Sequence, residues 1–277
     1  MKKLIIIMIA FLGLAVMAHA QEKEDFTSER GVYMLPESGD IGLGFNAVPF
    51  LEYVGNTFNG TTGNSVAVNF INNQAIVGKY YLEDDAAIRG ELRLGHSMFK
   101  NAEFIEKDQE VADPDVLVED IEKSGQTNIH VGAGYEMRRG HGRIQGYFGG
   151  MAIFNYSATS TTYEYGNPIT ADFNNPQTTN FGGNLTADGR VTESSDVSLG
   201  FGVRGFIGAE YFLAPKLSLG GEFGWGFGYN FTNMAEQTTE AWDGTEIDET
   251  TDEVATDSSF GLDTDNYMGS IFLIFHF

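Results

Sequence analysis

The sequence predicts an all-β fold, an up-and-down antiparallel barrel of eight strands that spans a membrane. Three observations lead to this prediction. Apolar and polar residues alternate with a period of two, short turns alternate with long polar connections, and the chain closes on an amphipathic run from Ile271 to Phe277. After the first 20 residues, no segment of the sequence has the ~20 continuous apolar residues of a membrane helix. A chain that crosses a bilayer without such a helix must be a closed barrel, because lipid cannot satisfy open strand edges.

The clearest alternating segment is Lys216–Phe231. Its odd positions are apolar or aromatic from Leu217 to Phe231, whereas its even positions are mostly glycine with Glu222 among them. A soluble sandwich would place its bulky residues inward and its charges outward. The pattern recurs clearly at 197–213, 129–137 and 88–98, and more weakly at 41–51, 71–82, 143–156 and 266–277. These segments are the eight predicted strands.

The connections between these strands are of two kinds. Tight turns are predicted at Glu83-Asp84-Asp85, at Arg139-Gly140-His141-Gly142 and at Ala214-Pro215. Long polar loops are predicted at about 52–70, 100–126, 158–196 and 232–262. Short and long connections alternate along the chain, which is typical of an outer-membrane barrel with short periplasmic turns and long external loops.

The N-terminal residues have the three parts of a secretory signal peptide. Lys2 and Lys3 are positive, residues 4–17 are apolar, and Ala18-His19-Ala20 is a cleavage motif. We therefore expect a signal peptide at 1–20, a periplasmic tail at 21–38 and a barrel domain at 39–277. Export with a terminal amphipathic strand predicts the outer membrane of a Gram-negative cell as the location.

The alternating hairpins, the segment Arg204–Phe212 and the terminal Phe277 resemble the small OmpA/OmpX-type outer-membrane β-barrel family over roughly residues 32–277. The resemblance implies that Phe275 and Phe277 belong to the signal read by the barrel-assembly machinery. One feature departs from the family, since its usual glycine five residues before the end is Phe272 here. The resemblance implies no cofactor.

If the apolar faces meet lipid, the opposite faces enclose charged side chains, because charges at this frequency are costly in hydrocarbon. Strand registers are expected to bring Lys79 near Glu91, Glu136 near Arg143, and Arg204 near Glu222. The sheet glycines leave room for these side chains. The predicted interior set is Lys79, Arg89, Glu91, Arg93, Glu136, Arg138, Arg143, Arg204, Glu210 and Glu222.

Two interpretations of this interior stay open. An eight-stranded barrel is just wide enough for its side chains to fill it, so an ion-pair network predicts a closed lumen and a structural or surface-interaction role. The alternative is a small porin-like diffusion channel, with a preference for cations, in which the same residues set selectivity. Oligomeric state and any specific ligand do not follow from the residues.

The formal net charge of −23 argues against nucleic acid as a partner, because a polyanion would be repelled. The acidic side chains concentrate in the predicted loops 100–126 and 232–262, where such runs are usually solvated and mobile. Divalent cations could bridge these carboxylates to the phosphates of lipopolysaccharide, but no stretch fits a defined calcium loop. We name no metal ligands.

A weaker alternative is a lipid A-modifying enzyme. A hydrolase needs a nucleophile and a base whose side chains meet. His96 and Ser97 are neighbours on a strand and point to opposite faces, and no serine matches His130. The sequence contains no nucleophile elbow and no zinc-protease motif. We therefore predict no catalytic residues and no enzymatic activity.

Overall fold

The computed structural model describes residues 26–28, 31–46, 76–264 and 270–277, and these residues contain no helix long and apolar enough to cross a membrane. They form ten strands in one antiparallel sheet. The strands are β1 (Ile41–Asn46), β2 (Ile76–Glu83), β3 (Ala86–Glu106), β4 (Leu117–His141), β5 (Ile144–Glu164), β6 (Arg190–Ala214), β7 (Leu217–Trp242), β8 (Ile247–Glu253), β9 (Ser258–Thr264) and β10 (Ser270–His276). The expected signal peptide at 1–20 and the loop at 52–70 lie outside the described residues.

The sheet closes on itself through its last strand. Strands β1 to β7 pair consecutively, and β10 pairs with β7 on one side and with β1 on the other. Phe275, for example, is opposite Leu217 of β7 and also opposite Leu43 of β1. The prediction of an all-β antiparallel sheet whose strands form a ring is thereby confirmed.

The position in the ring that follows β7 is occupied by three separate short strands. Strand β7 pairs with β10 near its start, with β9 between Trp225 and Phe231, and with β8 between Glu236 and Trp242. The sequence predicted one final strand and a long loop at 232–262. That loop prediction is wrong over β8, β9 and the end of β7, which are paired strands.

Two further predicted loops are also largely strand. Strands β3 and β4 continue as a paired hairpin as far as Glu106 and Leu117, so the described connection covers 107–116 rather than 100–126. Strands β5 and β6 likewise leave a connection at 165–189 rather than 158–196. Charged residues are frequent in the extensions of β3 and β4, and threonine and serine in those of β5 and β6, where threonine suits an extended strand. Their polarity hides them from a search for alternation.

At the opposite end of the ring the connections are tight, as expected. The turns after β4 and β6 are Gly142-Arg143 and Pro215-Lys216, and both Gly142 and Lys216 have positive φ. The predicted tail packs against this end. Met34 is buried and its carbonyl accepts a hydrogen bond from the Lys216 N–H at 3.1 Å, while the Gly39 N–H donates to the Tyr81 carbonyl at 2.8 Å.

Candidate functional site: the interior charge cluster

Charged side chains from strands that are not neighbours in the sheet meet inside the ring. Lys79 on β2 donates from Nζ to Glu136 Oε1 on β4 at 2.8 Å and to Glu210 Oε1 on β6 at 2.6 Å. Such contacts can form only across the enclosed space, because β3 and β5 separate these strands within the sheet. Lys79 therefore joins three sides of the ring through one ammonium group.

A second group of ion pairs is formed by Arg89, Glu91, Arg204 and Glu222. Arg89 pairs with both oxygens of Glu222, and its Nη2 also donates to Glu91 Oε1 at 2.7 Å. Arg204 Nη1 donates to Glu222 Oε1 at 2.7 Å. Glu222 on β7 thus accepts from guanidinium groups on β3 and on β6.

A third group lies toward the tight-turn end. Arg138 Nη2 donates to Glu210 Oε2 at 2.6 Å, and its Nη1 donates to the Tyr81 hydroxyl. Ser218 Oγ donates to Glu210 Oε2 at 3.3 Å and lies 3.2 Å from Nε2 of His276. Glu210 is therefore shared between the Lys79 group and this one. Arg89 Nη1 lies 3.7 Å from Glu136 Oε2, which connects the second group to the other two.

Aromatic rings lie against the charged groups inside the ring of strands. Lys79 Nζ lies 4.5 Å from the centre of the Tyr147 ring, and the Arg89 guanidinium lies 4.6 Å from that of Phe206. A cation over a ring face is attracted by the ring quadrupole. These rings fill space that water would otherwise occupy between the ion pairs, and they are themselves almost fully buried.

The network is balanced in charge and closed to solvent at its centre. Side chains of Lys79, Arg89, Glu136, Glu210 and Glu222 are each 1% exposed or less. Charges buried to this degree are retained only when they are paired. Four carboxylates and four cationic groups of the described residues form the network, which we call the interior charge cluster: Lys79, Arg89, Arg138, Arg204, Glu91, Glu136, Glu210 and Glu222.

Three details of the predicted cluster are wrong. Arg143 is exposed, because it belongs to the turn after β4, and it donates to the backbone carbonyls of Phe212 and Leu213 at 3.2 and 3.1 Å. Glu136 lies opposite Gly149 rather than near Arg143.

Lys79 pairs across the ring rather than with Glu91, whose partner is Arg89. Arg93 lies half-buried on the same face as Arg89.

Glycines opposite the cluster make room for its long side chains. A Cβ atom at Gly224 would lie 2.6 Å from Arg204 Nε, so any side chain there would displace the guanidinium. A Cβ at Gly220 would lie 2.9 Å from Glu210 Cγ. Glycine therefore serves packing at these two positions, where the backbone is in an ordinary extended conformation.

The sequence analysis missed the aromatic part of the interior. Phe206 and Phe212 share the even positions of β6 with Arg204 and Glu210, and both are buried. Their parity alone could have placed them inside. An assignment that places every apolar side chain on the outer face of the sheet misses these two residues.

The histidines considered for catalysis do not form a catalytic arrangement with one another. His96 is exposed and lies 2.9 Å from Thr127 Oγ1. His130 is on the inner face, with Nδ1 at 2.7 Å from Asn155 Oδ1 and Nε2 at 3.7 Å from Glu91 Oε2. Within the described ranges, no group of three or more acidic or histidine side chains is arranged to hold a metal ion.

The outer face of the ring is exposed and apolar. On β7 its members include Phe223, Trp225, Phe227 and Tyr229, each at least 38% exposed. Phe275 and Phe277 belong to the same face, and the Phe277 N–H donates to the Ile41 carbonyl at 2.9 Å. The ring thus has charged side chains on its inner face and apolar side chains on its outer face, the reverse of a soluble barrel.

The connection 165–189 is folded against the extended ends of the strands by buried polar side chains. Asp120 is fully buried and accepts from the N–H groups of Gly166 and Thr179, both at 2.8 Å. Asn167 is also buried and accepts from the Asp108 N–H at 2.9 Å. Asp120, predicted to belong to a mobile acidic loop, instead anchors a neighbouring one.

The same region holds a perturbed tyrosine. Burial raises the pKa of Tyr165 to about 12, since it disfavours the phenolate. Its hydroxyl donates to the Val191 carbonyl, and the Arg190 guanidinium lies 4.3 Å from the centre of its ring. These contacts fix the base of the connection.

No protein-family model and no curated protein sequence matches this chain.

Proposed function

We propose that the protein is an integral outer-membrane β-barrel with a closed interior and a structural or surface-interaction role, of the small OmpA/OmpX type that its sequence resembles. If β8, β9 and β10, which all pair with β7, are counted as one interrupted strand, the count of strands is eight, which supports a barrel of that type. The observation that carries the proposal is the reversal of polarity between the two faces of the sheet.

The exposed outer face is hard to reconcile with water. Monomeric soluble proteins rarely expose contiguous apolar patches larger than a few hundred Å². Here apolar side chains are exposed around the ring, on β3 at Ile88 and Leu92, on β6 at Ile207 and Tyr211, and on β7 as described above. A bilayer removes this cost and requires that charges lie inside, which is where the interior charge cluster lies.

The apolar face has the height that a bilayer needs. On β6 it extends from Phe201 to Leu213, somewhat more than the ~9–11 residues of a tilted transmembrane strand. At the outward positions it gives way to glycine and polar residues at one level of the sheet, where Gly125, Ser160, Ser195 and Glu236 are successive partners on β4 to β7. Such a common limit supports a membrane boundary at this level.

Beyond that level the sheet continues in polar form. On β6 the part from Arg190 to Ser195 adds about 20 Å at ~3.3 Å per residue. Paired strands of this length would project outward from the membrane as a stiff platform rather than as mobile loops. This projection supports a surface-interaction role.

The closed centre of the ring supports a structural role over a diffusion channel. A conducting path would need water beside Arg89, Glu136 and Glu210, and the side chains of all three are 1% exposed or less. Planar-bilayer recordings of the purified protein test this part of the proposal. We expect no discrete openings, and openings that change when Arg204 is reversed to Glu would favour the channel instead.

The partners proposed for the barrel follow from the same arrangement. Outer-membrane lipid and lipopolysaccharide would contact the apolar face, with divalent cations between their phosphates and the acidic strand ends. The barrel-assembly machinery would read Phe275 and Phe277, which are exposed at the edge of the outer face.

Single cysteines test the topology, because the chain has no cysteine of its own. Thr250→Cys places a thiol on exposed β8 of the projection, and Glu83→Cys places one at an exposed tight turn. A membrane-impermeant maleimide should label the first variant on intact Gram-negative cells and the second after the outer membrane is permeabilised. Equal labelling of both on intact cells, or recovery of the protein without detergent, contradicts the proposal.

A further inference from the structure

A cavity of about 440 Å³ lies at the far end of the projecting sheet, between the connection 165–189 and the end of β7. This volume falls within the roughly 300–1,000 Å³ of small-molecule sites. The lining combines one indole ring with amide, hydroxyl and charged side chains. Its members include Asn174, Asn175, Thr178, Asp188, Arg190 and Trp242.

The walls of the cavity are held in place by the protein itself. Asn184 is fully buried, and its amide donates to the Thr179 carbonyl at 2.8 Å while its Oδ1 accepts from the Phe181 N–H at 2.8 Å. The rim touches β7 at Gly189, where a Cβ atom would lie 2.5 Å from the Glu240 carbonyl oxygen. A binding site formed before the ligand arrives loses less conformational entropy on binding.

The floor is an ion pair whose charges are already satisfied. Arg190 is buried and donates from Nε to Glu240 Oε1 at 2.7 Å and from Nη1 to the Asn167 carbonyl at 2.8 Å. The pair is neutral overall, and Asp188 on the rim leaves the lining slightly negative. An anionic ligand would therefore be repelled both by the lining and by a chain of net charge −23.

We infer that this cavity binds a neutral saccharide. Asn174 and Asn175 are exposed amides that offer both donors and acceptors, and Thr178 adds a hydroxyl. Trp242 supplies an apolar ring face with a polar N–H at its edge, which suits the C–H face of a sugar. A polyhydroxylated, uncharged ligand matches a lining that is rich in hydrogen-bonding groups and has one aromatic surface. Access from outside the cell rests on the proposed function, but the binding itself does not.

Trp242 can report on binding directly. The chain has two tryptophans, and the other one, Trp225, lies on the exposed apolar face of the ring. In a Trp225→Phe background, the fluorescence of the purified, detergent-solubilised protein comes from Trp242. Neutral oligosaccharides and matched acidic ones would be titrated into this protein. An oligosaccharide released from the lipopolysaccharide of the host cell and a set of glycans that the host does not make would distinguish the source of the ligand.

We expect a saturable fluorescence change with a neutral oligosaccharide from either source. In the same background, Asn174→Ala combined with Asn175→Ala should weaken binding at least tenfold. Gln177→Ala is the matched control, because Gln177 is an exposed amide of the same connection that does not line the cavity.

Three results would overturn the inference: no saturable response to any neutral oligosaccharide, a response to acidic oligosaccharides alone, or an affinity that the double substitution leaves unchanged. Because the substituted side chains are exposed, retention of the β-sheet circular dichroism spectrum checks that each variant is folded. The cysteine-labelling experiment decides the membrane proposal separately. A protein that labels as an outer-membrane barrel and binds no saccharide would refute this inference alone.

Discussion

Replacing Lys79 by Met should strongly destabilise the folded protein. Methionine has a similar length but no charge, so Glu136 and Glu210 would lose the ammonium group that lies 2.8 and 2.6 Å from them. Both carboxylates are 0% exposed, and water cannot replace the lost partner. Glu210 keeps its pair with Arg138 at 2.6 Å, whereas the nearest cation left to Glu136 is Arg89 at 3.7 Å. Breaking a buried ion pair costs about 3–5 kcal/mol when it leaves a charge poorly paired. We expect a loss of this size in the free energy of unfolding.

The matched control is Lys123→Met on the outer part of β4. Lys123 pairs with Glu164, but the two side chains are 42% and 50% exposed. Exposed pairs of this kind contribute about 0–1 kcal/mol. The two substitutions are chemically identical and differ in the burial of the pair.

Urea unfolding of the protein refolded into lipid vesicles, followed by far-ultraviolet circular dichroism, measures both free energies. A double-mutant cycle with Glu136→Gln should show a coupling of roughly 0.5–3 kcal/mol, since the second change removes the stranded charge. If Lys79→Met costs no more than Lys123→Met, the interior is accessible to water. Such a result would show that the interior is not closed.

Three more predictions concern packing and the outer end of the sheet. Gly149→Ala would place a Cβ against the Tyr135 carbonyl oxygen and 2.6 Å from the Phe206 ring, and should cost about 1–3 kcal/mol in urea unfolding. Gly221→Ala, whose Cβ meets nothing within 4 Å, should be nearly neutral. Asp120→Asn weakens two buried hydrogen bonds, so limited proteolysis within 165–189 should accelerate while the ring stays intact; unchanged cleavage would show that Asp120 does not anchor this connection. Because burial raises the pKa of Tyr165 to about 12, the contribution of this side chain to stability is complete below pH ~10 and is lost as the pH rises toward 12. The phenolate absorbance of the wild type minus that of Tyr165→Phe should rise between these two pH values. A rise centred near pH ~10 would contradict the burial of Tyr165.

The sequence by itself determined which face of each strand a residue occupies. Side chains alternate strictly along an extended backbone, so the parity of Arg204, Glu210 and Glu222 among their neighbours is enough to place them on one side. The same parity indicates Phe206, which was overlooked although the signal was present. Ring formation was also predictable in kind, since an apolar outer face and short turns leave few alternatives.

The strand lengths were not predictable from the same signal. Alternation appears where one face meets a different environment from the other. Between Thr192 and Asp196 of β6, and between Glu122 and Asn128 of β4, the residues of both faces are polar or glycine, so the pattern disappears although the strand continues. Hydrogen bonds to neighbouring strands hold these segments, and those neighbours are distant in the sequence.

The tertiary structure decided which charges pair across the ring. Register along a hairpin relates adjacent strands, and it correctly brought Arg204 near Glu222. It also suggested Glu91 for Lys79 and Arg143 for Glu136, which are wrong. The curvature of the closed ring instead brings β2, β4 and β6 face to face, so Lys79 meets Glu136 and Glu210 across the interior. A period of two specifies the side of a strand, whereas a contact across the ring depends on its diameter and on the stagger of every strand between the partners, which no local pattern encodes.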